Sequence, residues 1–207
     1  SSGAVRLEGN KSGYAVLCDN SVVVPDWIFG QQINVLTERR KKSMKDTEKY
    51  VLVCGMAKSG IAAAELLHSL GAHVTLQDQK QREELPAEAL ALEQAGIALY
   101  TGKNPDEIAC QQDFIVLSPG IPCDLPFIAA AEAAGVEVIS EVELAYRYTP
   151  CPVTAITGTN GKTTTTTLTG EIMKAVRPHT AVVGNIGVPY SKKVMQLSEQ
   201  DWVVAEI

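Results

Sequence analysis

Val153-Thr154-Ala155-Ile156-Thr157-Gly158-Thr159-Asn160-Gly161-Lys162-Thr163-Thr164 reads as an apolar strand, a glycine turn and the start of a helix. The helix continues through Val176, so the turn sits at its N-terminus. Binding a polyphosphate needs several backbone N–H groups aimed at one anion, and Gly158 and Gly161 let the chain curl without Cβ clashes. The helix start adds unpaired N–H groups and partial positive charge. In that arrangement Lys162 reaches the β- and γ-phosphates of ATP, and the Thr163 hydroxyl ligates Mg²⁺. The general pattern Gly-x-x-x-x-Gly-Lys-[Ser/Thr] wants glycine at position 156, where this chain has Ile156. A ligand-free Gly- and Thr-rich turn is the plain alternative. The flanking strand and amphipathic helix favour phosphate binding by Gly158, Thr159, Asn160, Gly161, Lys162, Thr163 and Thr164.

Working outward, the same alternation recurs on both sides. Downstream come a strand at Thr180–Val183, a helix near Tyr190–Leu197 and a strand at Trp202–Ala205. Upstream, Thr149-Pro150-Cys151-Pro152 cannot continue a helix and is predicted to be a hinge between domains. Before it, Val51–Cys54, Val74–Leu76, Ile97–Tyr100, Phe114–Leu117 and Val136–Ile139 read as strands. Helices fall between them, one presenting Gly60, Ala63, Ala64, Leu67 and Leu70, others near Pro86–Ala95, Pro126–Ala134 and Glu141–Tyr148. Gly71, Gly96 and Gly135 supply the stops, and Ser140 with Glu143 makes a capping box. Strands alternating with helices give an α/β fold with parallel, doubly wound sheets, because parallel neighbours need a crossover. The expected domains are 44–149, Rossmann-like, and 150–207, a P-loop ATPase unit that looks unfinished and should expose apolar sheet faces.

A second glycine turn, Gly55-Met56-Ala57-Lys58-Ser59-Gly60, approximates Gly-x-Gly-x-x-Gly between a strand and a helix, with Asp78 ending the next strand. Taken alone it suggests an NAD(P)-dependent oxidoreductase. Ala57, however, replaces the glycine whose missing side chain lets a pyrophosphate approach, and a phosphate loop follows one domain later. A nucleotide-binding module without catalysis is a third reading.

Composition sets broad limits. The 207 residues are 45% hydrophobic but only 5% aromatic, which suits buried parallel strands. A net charge of −6 speaks against a broad nucleic-acid or anionic-membrane surface. Cys18, Cys54, Cys110, Cys123 and Cys151 are dispersed without Cys-x-x-Cys spacing, as expected of reduced thiols in a cytoplasmic protein. No apolar run reaches the roughly 20 residues that cross a bilayer, and no signal-peptide pattern is visible. His68 and His73 border a helix and a strand without metal-ligand company.

The two glycine turns, together with Ser118-Pro119-Gly120-Ile121 and Gly184-Asn185-Ile186-Gly187-Val188-Pro189, resemble the Mur ligases, and among them the D-glutamate-adding branch. The likeness runs from about Met44 to Ile207. It implies a three-domain, monomeric enzyme of peptidoglycan synthesis using ATP and Mg²⁺, with UDP-N-acetylmuramoyl-L-alanine and D-glutamate as substrates. On this resemblance Lys58, Ser59, Asp78, Gln79 and Lys80 fall where the family holds uridine. Ser118 and Gly120 lie on the turn facing the diphosphate, Asn185 on a substrate-facing loop, and Glu206 matches a Mg²⁺-binding carboxylate. Lys162 and Glu206 are then the catalytic residues. Plainer roles exist for two of them: Asp78 as a strand-end acid and Lys58 as a solvated helix start. The family's later histidine, modified lysine and third domain have no counterpart, so this chain is expected to hold ligands without turning over.

Residues 1–43 lie outside the resemblance and carry a net charge of +2, against −8 for residues 44–207. The run Glu38-Arg39-Arg40-Lys41-Lys42-Ser43 is codable by purine-rich DNA resembling a ribosome-binding site before Met44. The segment is therefore expected to be a poorly ordered leader, with Met44 the natural start. A hairpin around Tyr14–Val24 packed on the front domain is the alternative.

Overall fold

The computed structural model describes residues 48–184 and 187–207; the leader 1–43, the expected start at Met44, and Asn185 lie outside them. Among the described residues there are eight strands: β1 Tyr50–Cys54, β2 His73–Asp78, β3 Ala98–Thr101, β4 Phe114–Leu117, β5 Glu137–Ser140, β6 Val153–Ile156, β7 Thr180–Gly184 and β8 Trp202–Glu206. The helices are α1 Lys58–Ser69, α2 Ala87–Gln94, α3 Asp106–Ala109, α4 Pro126–Ala133, α5 Glu141–Tyr148, α6 Lys162–Val176 and α7 Tyr190–Val194. A 3₁₀ turn at Arg82–Glu84 and the four-residue α3 are additions to the expected elements, and both are too short to produce a periodic pattern.

The first five strands form one parallel sheet in the order β3-β2-β1-β4-β5. β1 lies at its centre, covered on both faces, which is why Val51, Leu52 and Val53 are continuously apolar and fully buried. The order reverses between β1 and β4, so the Gly55 and Ser118 turns meet at the carboxyl end where such sheets hold ligands. Gly71, Gly96 and Gly135 all adopt positive φ, as their stop role requires. Ser140 caps α5 by accepting from the Glu143 N–H at 3.1 Å, while the Glu143 carboxylate engages Arg147 Nε at 3.1 Å.

The second sheet is parallel, in the order β6-β8-β7. The expectation of exposed sheet faces is corrected here. Val183, Val203, Val204 and Ala205 are fully buried. One face of the sheet is covered by α6, where Gly170 lets the helix sit close to Val182. Residues of the other face share a continuous core with the front domain, because α7 packs on both α1 and α5. Exposure falls instead on the outer stripe of α6, where Leu168, Ile172 and Val176 are 60%, 57% and 73% accessible. No described helix is long and apolar enough to cross a membrane.

Candidate phosphate and substrate sites

The phosphate loop occupies the carboxyl end of β6. Gly161, the N-cap residue of α6, has φ 73° and ψ 4°, a left-handed conformation that a side chain would strain. A Cβ at Gly161 would meet nothing within 4 Å, so the glycine is required by backbone conformation and not by crowding. No side chain caps the helix, and Gly158, Thr159, Asn160 and Gly161 are exposed. The first-turn N–H groups of Lys162, Thr163 and Thr164 thus have no side-chain cap, the condition an anion site at a helix start requires. Lys162 is half-buried; Thr163 and Thr164 are exposed.

Glu206 ends β8 beside this loop. It is in register with Ile156 on β6 and Gly184 on β7, and the next residue, Ile207, donates its N–H to the Ile156 carbonyl at 2.8 Å. The Glu206 residue is only 5% exposed, and its Oε2 is buried with no hydrogen-bond partner. A buried carboxylate oxygen without a donor is costly unless something else satisfies it. Gly184 makes room here: a Cβ at that position would lie 2.1 Å from the Glu206 carbonyl oxygen.

In the front domain the sequence-predicted residues divide. Asp78 Oδ2 accepts from the Met56 N–H at 2.8 Å and Oδ1 from the Lys80 N–H at 3.1 Å, so its carboxylate braces the first glycine turn. Gln79 donates to Asn104 Oδ1 at 2.6 Å. Asp78 and Lys80 line a cleft of about 320 Å³ with Met56 and Ala57. Lys58 is exposed at the start of α1 and lines an adjoining groove, and Ser59 follows it half-buried. Ser118 is buried, and its hydroxyl donates inward to the Gly55 carbonyl at 3.4 Å. Gly120 has φ 95° on an exposed turn.

A cleft of about 580 Å³ lies between the domains. Leu117–Ile121 form one wall, while Val153, Ala155 and Thr157, alternate residues of one sheet face, form the other. The structure therefore brings Ser118 and Gly120 to the same cleft as Thr157 at the root of the phosphate loop, with the Asp78 and Lys80 cleft separate from it.

Sequence reasoning missed the contacts behind this cleft. Glu141, 2% exposed, accepts from the Ser191 N–H at 2.7 Å; burial raises its pKa while this bond opposes the rise. The Thr149 and Tyr190 hydroxyls, both buried, are 2.7 Å apart. In the sequence Glu141 reads only as the first residue of a helix, and no local signal pairs it with a serine fifty residues later.

Residues 49–140 match the Mur ligase MurD-like N-terminal domain, and residues 156–207 match the Mur ligase middle domain. The chain is 43% identical over 166 residues to UDP-N-acetylmuramoylalanine–D-glutamate ligase of Alkaliphilus metalliredigens, covering 79% of this chain and 36% of that protein. It is 45% identical over 175 residues to the enzyme of that name from Enterococcus hirae, covering 83% and 38%. For Streptococcus pneumoniae (strain CGSP14) the figures are 46% over 160 residues, 77% and 35%. The chain thus spans a little over a third of the length of these curated relatives. With its two domains matched in order to consecutive domains of one family, and with relatives of this identity, the chain belongs to the Mur ligases.

Proposed function

We propose that this chain supplies the UDP-substrate domain and the phosphate loop of a cytoplasmic, ATP-dependent ligase that joins D-glutamate to UDP-N-acetylmuramoyl-L-alanine. The observation that carries the proposal is the orphaned, buried Glu206 Oε2 at the sheet end that bears the uncapped phosphate loop. Such an oxygen, with the Thr163 hydroxyl on the first turn of α6, fits a hard divalent cation, for which Mg²⁺ is the natural choice beside a triphosphate. When bound, Mg²⁺ would neutralise charge on the phosphate oxygens.

In the proposed reaction the alanyl carboxylate attacks the γ-phosphorus of ATP, forming an acyl phosphate as ADP leaves. The amine of D-glutamate then adds to the acyl carbon, and the tetrahedral intermediate expels phosphate to leave an amide. The first step brings two anions together, so charge neutralisation must supply much of the catalysis. Lys162 and the N–H groups of Gly161–Thr164 are this chain's contribution, holding the triphosphate in line. The UDP moiety is assigned to the front domain, with Lys58, Ser59, Gln79 and Lys80 as contacts and Asp78 shaping the turn they flank. Ser118 and Gly120 are assigned to the diphosphate, and Asn185, outside the described residues, to a substrate-facing loop.

Calorimetric titration of the chain tests the reading, using UDP-N-acetylmuramoyl-L-alanine, ATP with and without Mg²⁺, and NAD⁺. UDP-substrate binding and Mg²⁺-dependent ATP binding are expected. Tighter NAD⁺ binding would replace the proposal with the dinucleotide reading that the Gly55–Gly60 turn also permits.

A further inference from the structure

The link between the domains is short, Thr149–Pro152, yet the contact beside it is extensive and buried. α7 sits between the second sheet and the front-domain helices α1 and α5. Its N-cap is Pro189, which offers no capping side chain, and a helix of five residues leaves most of its N–H groups without intrahelical acceptors. One of these, the Ser191 N–H, is satisfied across the domain boundary by Glu141 Oε1 at 2.7 Å. One residue earlier, the Tyr190 hydroxyl lies 2.7 Å from Thr149 Oγ1, which is also 2.8 Å from the Ala145 carbonyl. Thr149 has a single hydroxyl proton, so with that proton on Ala145 O the Tyr190 O–H donates to Thr149 Oγ1. Glu141, Thr149, Tyr190 and Ser191 are all at most 2% exposed. Glu141 and Tyr190 also line the interdomain cleft.

We infer that Glu141, Thr149 and Tyr190 form a clasp that locks the two domains at a fixed angle, α7 being its wedge. Glu141 is thereby a positioning residue for the cleft, capping a helix that belongs to the other domain. The front domain, and not only the second sheet, decides where α7 stands. The link to catalysis rests on the function proposed above; the clasp itself does not.

The chain's own cysteines read the clasp. Cys151 lies in the linker and is 1% exposed, whereas Cys54 is buried in β1 of the front-domain core and Cys110 and Cys123 are exposed. Native-state labelling with iodoacetamide, resolved by peptide mass spectrometry, should modify Cys110 and Cys123 quickly and spare Cys54 and Cys151. Glu141→Ala strands a buried N–H and Tyr190→Phe removes only a hydroxyl. Each should raise the Cys151 rate about tenfold, as loss of one buried hydrogen bond shifts a local opening equilibrium. The Cys54 rate should stay unchanged, and Glu141→Gln, which keeps an acceptor oxygen, should restore Cys151 protection. An unchanged Cys151 rate in both variants overturns the inference, as does a parallel rise at Cys54, which would mean only a global loss of stability. A second arm uses UDP-N-acetylmuramoyl-L-alanine, which should slow labelling of Cys123 at the cleft and do so less in Glu141→Ala. No slowing in the unsubstituted chain would count against the proposed function, while the Cys151 comparison would still decide the clasp.

Discussion

Replacing Gly60 with alanine sets two effects against each other. Gly60 lies in the first turn of α1, where alanine is favoured over glycine by about 1 kcal/mol. Against this, a Cβ at position 60 would stand 1.8 Å from the Gly55 carbonyl oxygen and 2.6 Å from Ser118 Oγ. A relaxed carbon–oxygen contact is roughly 3.3 Å, so the overlap with backbone is well over an ångström. The oxygen cannot easily retreat, because Gly55 has φ 98° and its N–H donates to the Gln77 carbonyl at 2.7 Å. The helix must lift instead, loosening Ala63, Ala64 and Leu67, each fully buried. Overpacking of this kind costs about 1–3 kcal/mol, and the severity here belongs at or beyond the upper end. After the helix-propensity gain, a net loss of about 2–3 kcal/mol remains. With a urea m-value of about 2 kcal/mol/M, the unfolding midpoint should fall by roughly 1–1.5 M. Adding Ser118→Ala removes the 2.6 Å contact but not the 1.8 Å one, so the double variant should recover little. A midpoint unchanged by Gly60→Ala would refute the claim that glycine is needed for close helix–strand packing.

Lys162→Ala should abolish ATP binding measured by calorimetry while leaving the unfolding free energy from urea titration within about 0.5 kcal/mol of the parent, because a half-buried lysine at the start of α6 holds no core together. Glu206→Gln should leave the fold intact but remove the Mg²⁺ dependence of ATP binding; retained dependence would take the metal role from Glu206. Asp78→Ala strands the Met56 and Lys80 N–H groups and should cost about 1–3 kcal/mol in urea unfolding, with UDP-substrate affinity lost as well. Burial pushes the Cys54 thiol up to about 12, so at pH 8 it should resist an alkylating agent that modifies Cys110 and Cys123, and reactivity at Cys54 in the native chain would contradict that burial.

Element order, the parallel sheets, the helix stops and the glycine turn ahead of α6 were legible in the sequence because each is written within a few residues. Buried parallel strands read as short apolar runs, helices as 3.6-residue periods, and turns as glycines. The Gly158–Thr164 loop is likewise a local motif, as is the Gly55–Gly60 turn whose middle Ala57 argued against a dinucleotide. Tertiary structure decided which side chains turn inward. The resemblance places Ser118 on a turn facing the diphosphate, and the structure turns its hydroxyl toward the Gly55 carbonyl, 63 residues away in sequence. Asp78 is placed by the resemblance at the uridine site, with a plain strand-end acid as the alternative, and its oxygens accept from the N–H groups of Met56 and Lys80. Glu206 is already marked by the family resemblance as a Mg²⁺-binding carboxylate, and what parallel pairing with Ile156 adds is a buried, unpartnered oxygen beside the loop. Glu141 and Ser191, 50 residues apart, and Thr149 and Tyr190, 41 apart, leave no trace in any periodicity. Such pairs depend on how the two units pack against each other, and no short stretch of chain encodes the shape of the faces that meet.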